Sequence, residues 1–294
     1  MAMETLPIKL PPGSAKFVEM QTIGANVSVV VPCFRSAHTI RRAVQSVARQ
    51  TLRPVELILV DDASDDDTPE ILEFLRSEFG NGWLQIVTLQ SNRGPANARN
   101  IGWDIARGEF IALLDADDEW LPLKIERQCA FMGRHREFSI SGHLAHYGSE
   151  SPRFNPTVSE PARHCELSRS WILVSNPMVT PSFMFRRDLR LRFCTGSRHM
   201  EDHRFLQEAL FSGLRAARLE EALVVVHKPA FGVSGLSAAL WQMELGELDN
   251  YRALLDAGHI QWATRWSLVI YSMAKFLRRV LITRLRKTFQ RSRN

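Results

Sequence analysis

Apolar runs and amphipathic stretches alternate through the first 120 residues of the chain. The apolar runs, which are expected to be strands, lie at 27–31, 55–60, 84–89 and 110–114. The stretches with a helical period lie near 37–50, 69–79 and 95–106. Strands without polar alternation are typical of a parallel sheet that is buried on both faces. The pattern therefore predicts an α/β fold with a mostly parallel, doubly wound sheet.

The rest of the chain is less regular. It contains a predicted helix near 122–134, short predicted strands at 139–146 and 182–186, and a long helical stretch at 246–286. We divide the chain into an N-terminal extension (1–24), one α/β domain (25–240, with halves 25–120 and 121–240) and a C-terminal helical extension (241–294).

The basic residues are concentrated at one end. The chain has 37 Lys and Arg against 32 Asp and Glu, a net charge of +5. Nine of the basic residues and none of the acidic ones lie in 262–294, which leaves a charge of about −4 for the rest. A nucleic-acid-binding surface needs basic residues spread over a folded face. This distribution argues against nucleic acid as a partner.

The cysteines and the N-terminus bear on the cellular compartment. Four cysteines lie far apart, without a CxxC pair or a zinc-ligand spacing: Cys33, Cys129, Cys165 and Cys194. A disulfide framework is therefore not expected, which fits a reducing cytosol. The first residues contain Pro and Gly where a signal peptide needs an apolar run, so we do not expect export.

Three aspartates follow the apolar run at 110–114. Asp115, Asp117 and Asp118 crowd together, which is unfavourable unless a cation neutralises them. Carboxylates suit Mg²⁺ or Mn²⁺, which keep their other positions for water and phosphate oxygens. A site for a metal-bound diphosphate is expected here, because ligands of such sheets bind beyond the carboxyl ends of the strands. The alternative is an acidic loop that caps the next helix.

A second acidic group follows the run at 55–60. Residues 64–68 have the polar composition of a turn and helix N-cap before Pro69. Capping does not require the carboxylate pair Asp61 and Asp62 at the strand end, so we assign these two to a functional site.

Several motifs occur in the order typical of one enzyme family. They are VVVPCF at 29–34, the stretch 43–51, VDDASD at 60–65, NRG at 92–94 with ARNIG at 98–102, and LDADD at 114–118. Together they resemble the signature of family 2 glycosyltransferases, and the resemblance extends more loosely to about residue 240.

The resemblance implies a GT-A fold that binds a nucleotide-diphospho-sugar with a divalent metal, Mg²⁺ or Mn²⁺. It implies that residues 25–120 bind the donor and that 121–240 receive the acceptor. The residues that match the donor site are Pro32, Phe34, Asp62, Arg99, Asp115 and Asp117. Asp62 would accept from the imide edge of the base, and Arg99 would approach the diphosphate. Asp117 or Asp118 would ligate the metal.

The pair Glu201 and Asp202 resembles the family's Glu-Asp pair at the start of a helix on the acceptor side. In inverting members the matching Asp is the general base, which takes the proton of the acceptor hydroxyl. We assign this role to Asp202, with Glu201 in support. The alternative is an acidic helix N-terminus stabilised by the helix dipole.

A Gly/Ser-rich loop follows the apolar run at 224–226. Such a loop suits a lid over a diphosphate, with His227, Lys228 and Ser237 as possible contacts to the phosphates or the metal. The segment around Ser237 resembles the Gly-Leu-Ser stretch of some members that assemble succinoglycan-like polymers. A structural role for His227 is the alternative.

Apolar residues recur at steps of three and four from Trp262 onward and form one stripe flanked by basic residues. Lys275, Arg278 and Arg279 interrupt any apolar run of about 18 to 20 residues, which disfavours a spanning helix. An interfacial helix on anionic lipid is expected. A terminal helix docked on the domain is the alternative.

These observations predict an inverting, metal-dependent glycosyltransferase on the inner face of the cell membrane, in the cytoplasm. It would move a sugar to a saccharide or lipid-linked saccharide acceptor in cell-surface or exopolysaccharide synthesis. Three alternatives remain: a nucleotidyltransferase that makes the sugar nucleotide, a basic nucleic-acid-binding protein, and an inactive relative that serves as an assembly subunit.

Overall fold

A computed structural model of the chain describes residues 24–148, 161–196, 199–227 and 239–291, with side chains described up to residue 281. In these ranges one sheet contains β1 (Ala25–Cys33), β2 (Pro54–Asp61), β3 (Leu84–Thr88), β4 (Phe110–Leu113), β5 (Glu119–Trp120), β6 (Ile140–Tyr147), β7 (His164–Glu166), β8 (Met184–Arg186) and β9 (Ala216–Val226). The predicted N-terminal extension lies almost wholly outside the described residues.

The helices are α1 (Ile40–Ala48), α2 (Thr68–Phe79), α3 (Pro95–Ile105), α4 (Lys124–Arg134), α5 (Arg169–Val174), α6 (Glu201–Phe211), α7 (Leu240–Asp256) and α8 (Trp262–Arg291). A single 3₁₀ turn lies at Thr180–Ser182. No helix within the described ranges is long and apolar enough to cross a membrane.

The strand order is β3-β2-β1-β4-β8-β6-β9-β5, with β7 added beside β9. The strands β3, β2, β1 and β4 are parallel, while β8 runs antiparallel to its neighbours β4 and β6. The predicted α/β fold with a mostly parallel sheet is confirmed. The less regular second half extends this sheet with strands of uneven length, from three residues in β7 to eleven in β9.

Both faces of the parallel part are covered. Val29 and Val31 of β1 belong to the core on the side of α1 and α4, and Val30 belongs to the core on the side of α3. The approach of α3 is close, because a Cβ on Gly102 would lie 2.4 Å from Val30 Cγ1. No face of such a strand is exposed to solvent, so successive positions are mostly apolar, which explains the apolar runs in the sequence.

The C-terminal region differs from the single helical stretch that the sequence predicted. Gly258, with φ of 72°, lies in the turn between α7 and α8. The elements β5, β7 and α5 were not predicted, because runs of two to six residues are too short to show a period.

A buried ion pair fixes α7 to α6. His203 Nδ1 lies 2.8 Å from Glu247 Oε2, and His203 Nε2 lies 2.6 Å from the carbonyl oxygen of Ile172. Because a carboxylate and a carbonyl oxygen both accept, the ring donates from both nitrogens when it is protonated. Tyr251 adds a hydrogen bond to the other oxygen of Glu247, at 2.7 Å. Burial opposes the charge of His203, but Glu247 outweighs it and raises the pKa of His203.

We expect this pair to make stability depend on pH. The raised pKa of His203 gives a contribution that is complete below the ordinary value of 6.5 and is lost as pH rises through the folded-state value. Burial raises the pKa of Glu247, but His203 outweighs it and lowers the net value, so its contribution is lost only at pH below the ordinary 4.5. Breaking such a pair costs about 3–5 kcal/mol.

Denaturant unfolding from pH 5 to 10 measures the effect. The free energy of unfolding of His203→Gln should fall below wild type by roughly the amount of a broken buried pair, most clearly near pH 5 to 6. The difference between wild type and the neutral double variant His203→Gln/Glu247→Gln should shrink as pH rises above 6.5. A difference that stays constant over this range would show that the imidazolium pair is not present.

Candidate active site

The strand order changes direction between β1 and β4, the position at which open α/β sheets form their ligand crevice. The chain passes from β1 to β2 on one side of β1, while β4 pairs with its other side. At this change of direction the loops after the two strands separate, and ligands of open α/β sheets bind there. Pro32 and Phe34 lie at the end of β1, and Asp115 follows β4. The sheet therefore brings together the strand ends that the sequence marked as functional.

Asp62 ties the ends of β1 and β2 to the start of α3. Its backbone N–H donates to the carbonyl oxygen of Cys33 at 2.8 Å. Its carboxylate accepts from the backbone N–H groups of Arg93 at 2.8 Å and Gly94 at 2.7 Å. Asp62 is buried, and each of its carboxylate oxygens keeps a second lone pair.

The rim beside Asp62 is aromatic and charged. Phe34 is 43% exposed, and the guanidinium of Arg35 lies 5.3 Å from its ring centroid. Arg35 also pairs with Asp65 at 2.6 Å, which joins the loops after β1 and β2. Arg35 and Ala63 have φ of 48° and 57°, an unusual conformation for residues with a side chain. Strained backbone of this kind is concentrated at functional sites.

The three aspartates after β4 have different surroundings. Asp115 is half-buried and pairs with Arg99, while Asp118 is buried. Asp117 is half-buried, and its backbone carbonyl accepts from Arg42 Nη2 at 2.6 Å. Arg42 lies on α1 and thus holds, from the side of β1, the loop that contains Asp115, Asp117 and Asp118, which we call the aspartate loop.

His227 lies against the same loop. Its backbone N–H is 3.4 Å from Asp118 Oδ1, and its Nε2 is 3.2 Å from Glu119 Oε2. Burial, together with the charge of Asp118, raises the pKa of Tyr147 at the end of β6. The structure therefore places His227 beside Asp118 and Glu119, whereas Lys228 and Ser237 lie outside the described residues.

The carboxylate oxygens of the aspartate loop are ligands that suit a hard divalent cation. The described residues contain no group of three or more His, Cys, Asp or Glu side chains arranged as a complete ligand set. Mg²⁺ is usually held by one or two carboxylates plus substrate phosphates, so a complete protein cage is not needed. Asp117 and Asp118, in the loop after β4, supply carboxylates of the required type.

Glu201 and Asp202 form the first turn of α6, as predicted. Met200, which precedes the helix, has φ of 61°. Asp202 Oδ2 accepts from Asn176 Nδ2 at 3.0 Å and from the Thr180 hydroxyl at 3.2 Å. These two hydrogen bonds fix the orientation of the carboxylate.

Arg99 differs from the expectation of a diphosphate contact. It lies on α3, is 4% exposed, and bridges Asp115 and Glu201 at 2.9 Å each. The reason is that α6 packs close to α3, so the guanidinium is enclosed between two carboxylates. Burial disfavours its charge, but Asp115 and Glu201 outweigh this effect and raise the pKa of Arg99.

Sequence reasoning missed four residues of the site: Arg42, Tyr147, Asn176 and Thr180. Arg42 lies within a regular helical pattern, and nothing local distinguishes it from a surface arginine. Asn176 and Thr180 each precede a proline in the irregular region, which indicates a turn but not a contact with Asp202.

Comparison with known proteins identifies the family. The family model of glycosyl transferase family 2 matches residues 28–193, more than half of the chain. A UDP-Glc:alpha-D-GlcNAc-diphosphoundecaprenol beta-1,3-glucosyltransferase from Escherichia coli, WfgD, is 38% identical over 106 residues, 36% of this chain and 40% of WfgD. The putative glycosyltransferase EpsE from Bacillus subtilis (strain 168) is 26% identical over 209 residues, 70% of this chain and 74% of EpsE.

The succinoglycan biosynthesis protein ExoO from Rhizobium meliloti (strain 1021) is 39% identical over 102 residues, 35% of this chain and 28% of ExoO. The chain thus spans less than half the length of WfgD and of ExoO.

Solved structures show the fold. Residues 1–349 of TarS from S. aureus, in complex with UDP-GlcNAc, give a TM-score of 0.61 at 22% identity, covering 85% of this chain and 71% of that chain. The mannosyltransferase PcManGT from Pyrobaculum calidifontis, in complex with GDP-Man and Mn²⁺, gives a TM-score of 0.62 at 16% identity, covering 86% of this chain and 70% of that chain.

These matches confirm the family and the fold that the motifs predicted. The chain belongs to glycosyl transferase family 2 and has the GT-A fold.

Proposed function

We propose that the protein is an inverting glycosyltransferase that moves a sugar from a nucleotide-diphospho-sugar to a saccharide or lipid-linked saccharide. One observation carries this proposal: the carboxylate of Asp202 is held in place at the start of α6, and Asp115, Asp117 and Asp118 lie together in the loop after β4. We assign the first to the acceptor side and the second to the donor side. Arg99 joins the two sides through Glu201 and Asp115. The names of WfgD and ExoO support a lipid-linked or polysaccharide acceptor.

We assign the binding of the nucleotide base to Pro32, Phe34 and Asp62, at the ends of β1 and β2. Phe34 offers an exposed ring face for stacking beside Pro32. The carboxylate of Asp62 has lone pairs left to accept from an imide N–H, in addition to its two backbone contacts. Both observations support a nucleotide bound across the ends of β1 and β2.

Asp117 and Asp118 are the residues that would hold a divalent cation, with His227 next to them. A bound Mg²⁺ or Mn²⁺ would neutralise charge on the diphosphate as it leaves. Neighbours crystallised with Mn²⁺, such as PcManGT, support this assignment.

Asp202 is assigned as the general base. The acceptor hydroxyl attacks the anomeric carbon, its proton passes to the Asp202 carboxylate, and the bond from that carbon to the diphosphate oxygen breaks. The nucleotide diphosphate leaves with the electron pair. Attack on the face opposite the leaving group inverts the anomeric configuration. Hydrogen bonds from Asn176 and Thr180 hold the carboxylate in one orientation.

Replacing Asp202 separates binding from turnover. Asp202→Asn keeps the size of the side chain but removes the proton acceptor, so turnover should fall by roughly 10²- to 10⁴-fold. The affinity for the donor, measured by calorimetry with UDP-glucose, UDP-GlcNAc and GDP-mannose in MnCl₂, should stay near wild type, because the lost interaction is made in the transition state.

Glu208→Gln is the matched control. It makes the same chemical change in the same helix, at a residue paired with Arg204, and should leave turnover near wild type. Near-normal transfer by Asp202→Asn, or a product that retains the donor's anomeric configuration, would refute the assignment.

The protein is further proposed to lie on the anionic inner face of the cell membrane through α8. Five apolar residues of one helical face are exposed: Trp262, Trp266, Ile270, Leu277 and Leu281. The opposite face is docked, with Leu268 and Ser272 buried and Lys275 Nζ donating to the carbonyl oxygen of Val174 at 2.8 Å. The basic residues of 262–294, without acidic ones, complement anionic lipid.

Substitutions on the exposed face test this contact. Truncation before Trp262 would also remove the docked contacts of Leu268 and Lys275, so point variants are cleaner. We expect Trp266→Ser/Ile270→Ser/Leu277→Ser to weaken co-sedimentation with phosphatidylglycerol vesicles about tenfold or more, since each large side chain contributes about 1.5–3 kcal/mol when fully buried.

Phe74→Ser/Ile105→Ser is the control, because these exposed residues lie on α2 and α3. It should bind vesicles as wild type does, and added salt should weaken binding of both. Equal co-sedimentation of the triple variant and wild type would exclude α8 as the membrane contact.

A further inference from the structure

We propose that Arg99 is a positioning residue that couples the donor-side aspartate loop to the helix that bears the general base. The inference rests on the proposed function, because it gives Arg99 a task in the same reaction. It departs from the diphosphate contact that the sequence motif implied. Arg99 acts through two other residues, Asp115 and Glu201.

The bridge joins parts of the chain that are distant in sequence. Arg99 Nη2 donates to Asp115 Oδ1 and Nη1 donates to Glu201 Oε1, both at 2.9 Å. Asp115 begins the aspartate loop, and Glu201 begins α6. Since a guanidinium is planar and rigid, it fixes the separation and the angle between the two carboxylates. A lysine has a single ammonium on a flexible stem and does not do this.

The surroundings leave little of Arg99 for a ligand. The side chain is 4% exposed, and both terminal nitrogens already donate to carboxylates. Its Nε is buried without a hydrogen-bond partner. Phe193 covers the guanidinium with its ring centroid at 5.7 Å from Cζ. Phe193 is itself held by Asn100, which exchanges two hydrogen bonds with its backbone at 2.8 and 3.0 Å.

Glu201 transmits this position to Asp202. The two residues are adjacent in the first turn of α6, and Met200 before them is held in a left-handed conformation. Without Arg99, the buried Glu201 and the half-buried Asp115 lose their shared cation, and the start of α6 is free to move away from the aspartate loop. A displacement of about 1 Å at a reacting group costs roughly 10²-fold in rate.

The test compares Arg99→Met, Arg99→Lys, Glu201→Gln and the double variant Arg99→Met/Glu201→Gln. With MnCl₂, the nucleotide-sugar that wild type binds and a diphosphate-lipid-linked N-acetylglucosamine acceptor, kcat of Arg99→Met should fall roughly 10²-fold. Donor affinity should change by no more than about threefold. The kcat of Arg99→Lys should resemble that of Arg99→Met, because an ammonium group keeps the charge but lacks the planar guanidinium that bridges Asp115 and Glu201.

Two readouts separate this role from a purely structural one. The double variant lacks both the guanidinium and the charge of Glu201, so it leaves no unpaired charge at Glu201 and should still fold. Its kcat should lie within about threefold of that of Arg99→Met, because the effects of substitutions within one network are not additive. Without ligand, hydrogen exchange at 199–206 should be faster in Arg99→Met than in wild type. Arg127→Met, which breaks a different partly buried pair with Glu221, should leave both readouts unchanged.

Three outcomes would overturn the inference: wild-type kcat in Arg99→Lys, additive losses in the double variant, or a large loss of donor affinity with unchanged exchange at 199–206. If wild type itself transfers no sugar from any donor, the proposed function fails. If wild type transfers and the Arg99 variants do so equally well, only the role of Arg99 fails.

Discussion

The pairing of β1 with β2 on one side and β4 on the other sets the positions of Asp62 and of the three aspartates after β4. It opens a crevice at the carboxyl ends of the strands, and the loops after β1, β2 and β4 all reach it. Residues in the connections between the strands hold the helices and strand ends in this arrangement. Gly102 lets α3 approach β1 closely, and Asp62 fastens the strand ends to the start of α3.

The same pairing creates an electrostatic problem. Two carboxylates roughly 4 Å apart repel by about 4 kcal/mol at an effective dielectric constant of about 20. The fold already supplies cations against this repulsion: Arg99 between Asp115 and Glu201, and Arg42 at the backbone of Asp117. A divalent cation at Asp117 and Asp118 would complete the neutralisation and add a partner for a diphosphate. Such neutralisation would allow acidic residues to lie on both sides of the crevice, as the proposed function requires, without repelling each other.

The sequence was sufficient for the features that depend on local periodicity. The apolar runs gave the parallel strands, and the strand ends gave the positions of Asp62, Asp115 and Asp117, because a parallel sheet puts all such ends at one edge. The helix that begins at Glu201 was also visible. The contact between Arg99 and Glu201 could not be predicted from the sequence, because the two residues are 102 positions apart and only the packing of α6 near α3 brings them together. In α8 the period showed an apolar stripe, but which residues dock and which stay exposed depends on α7.

The most direct test of the account is metal-dependent donor binding at the aspartate loop. Calorimetry with UDP-glucose, UDP-GlcNAc and GDP-mannose, each with and without MnCl₂, should show one donor that binds wild type and needs Mn²⁺. Asp117→Ala/Asp118→Ala should abolish this binding, whereas Glu70→Ala/Glu73→Ala, which removes the same charge from the exposed surface of α2, should retain it. Equal, equally Mn²⁺-dependent binding by the Asp117→Ala/Asp118→Ala variant would contradict the account.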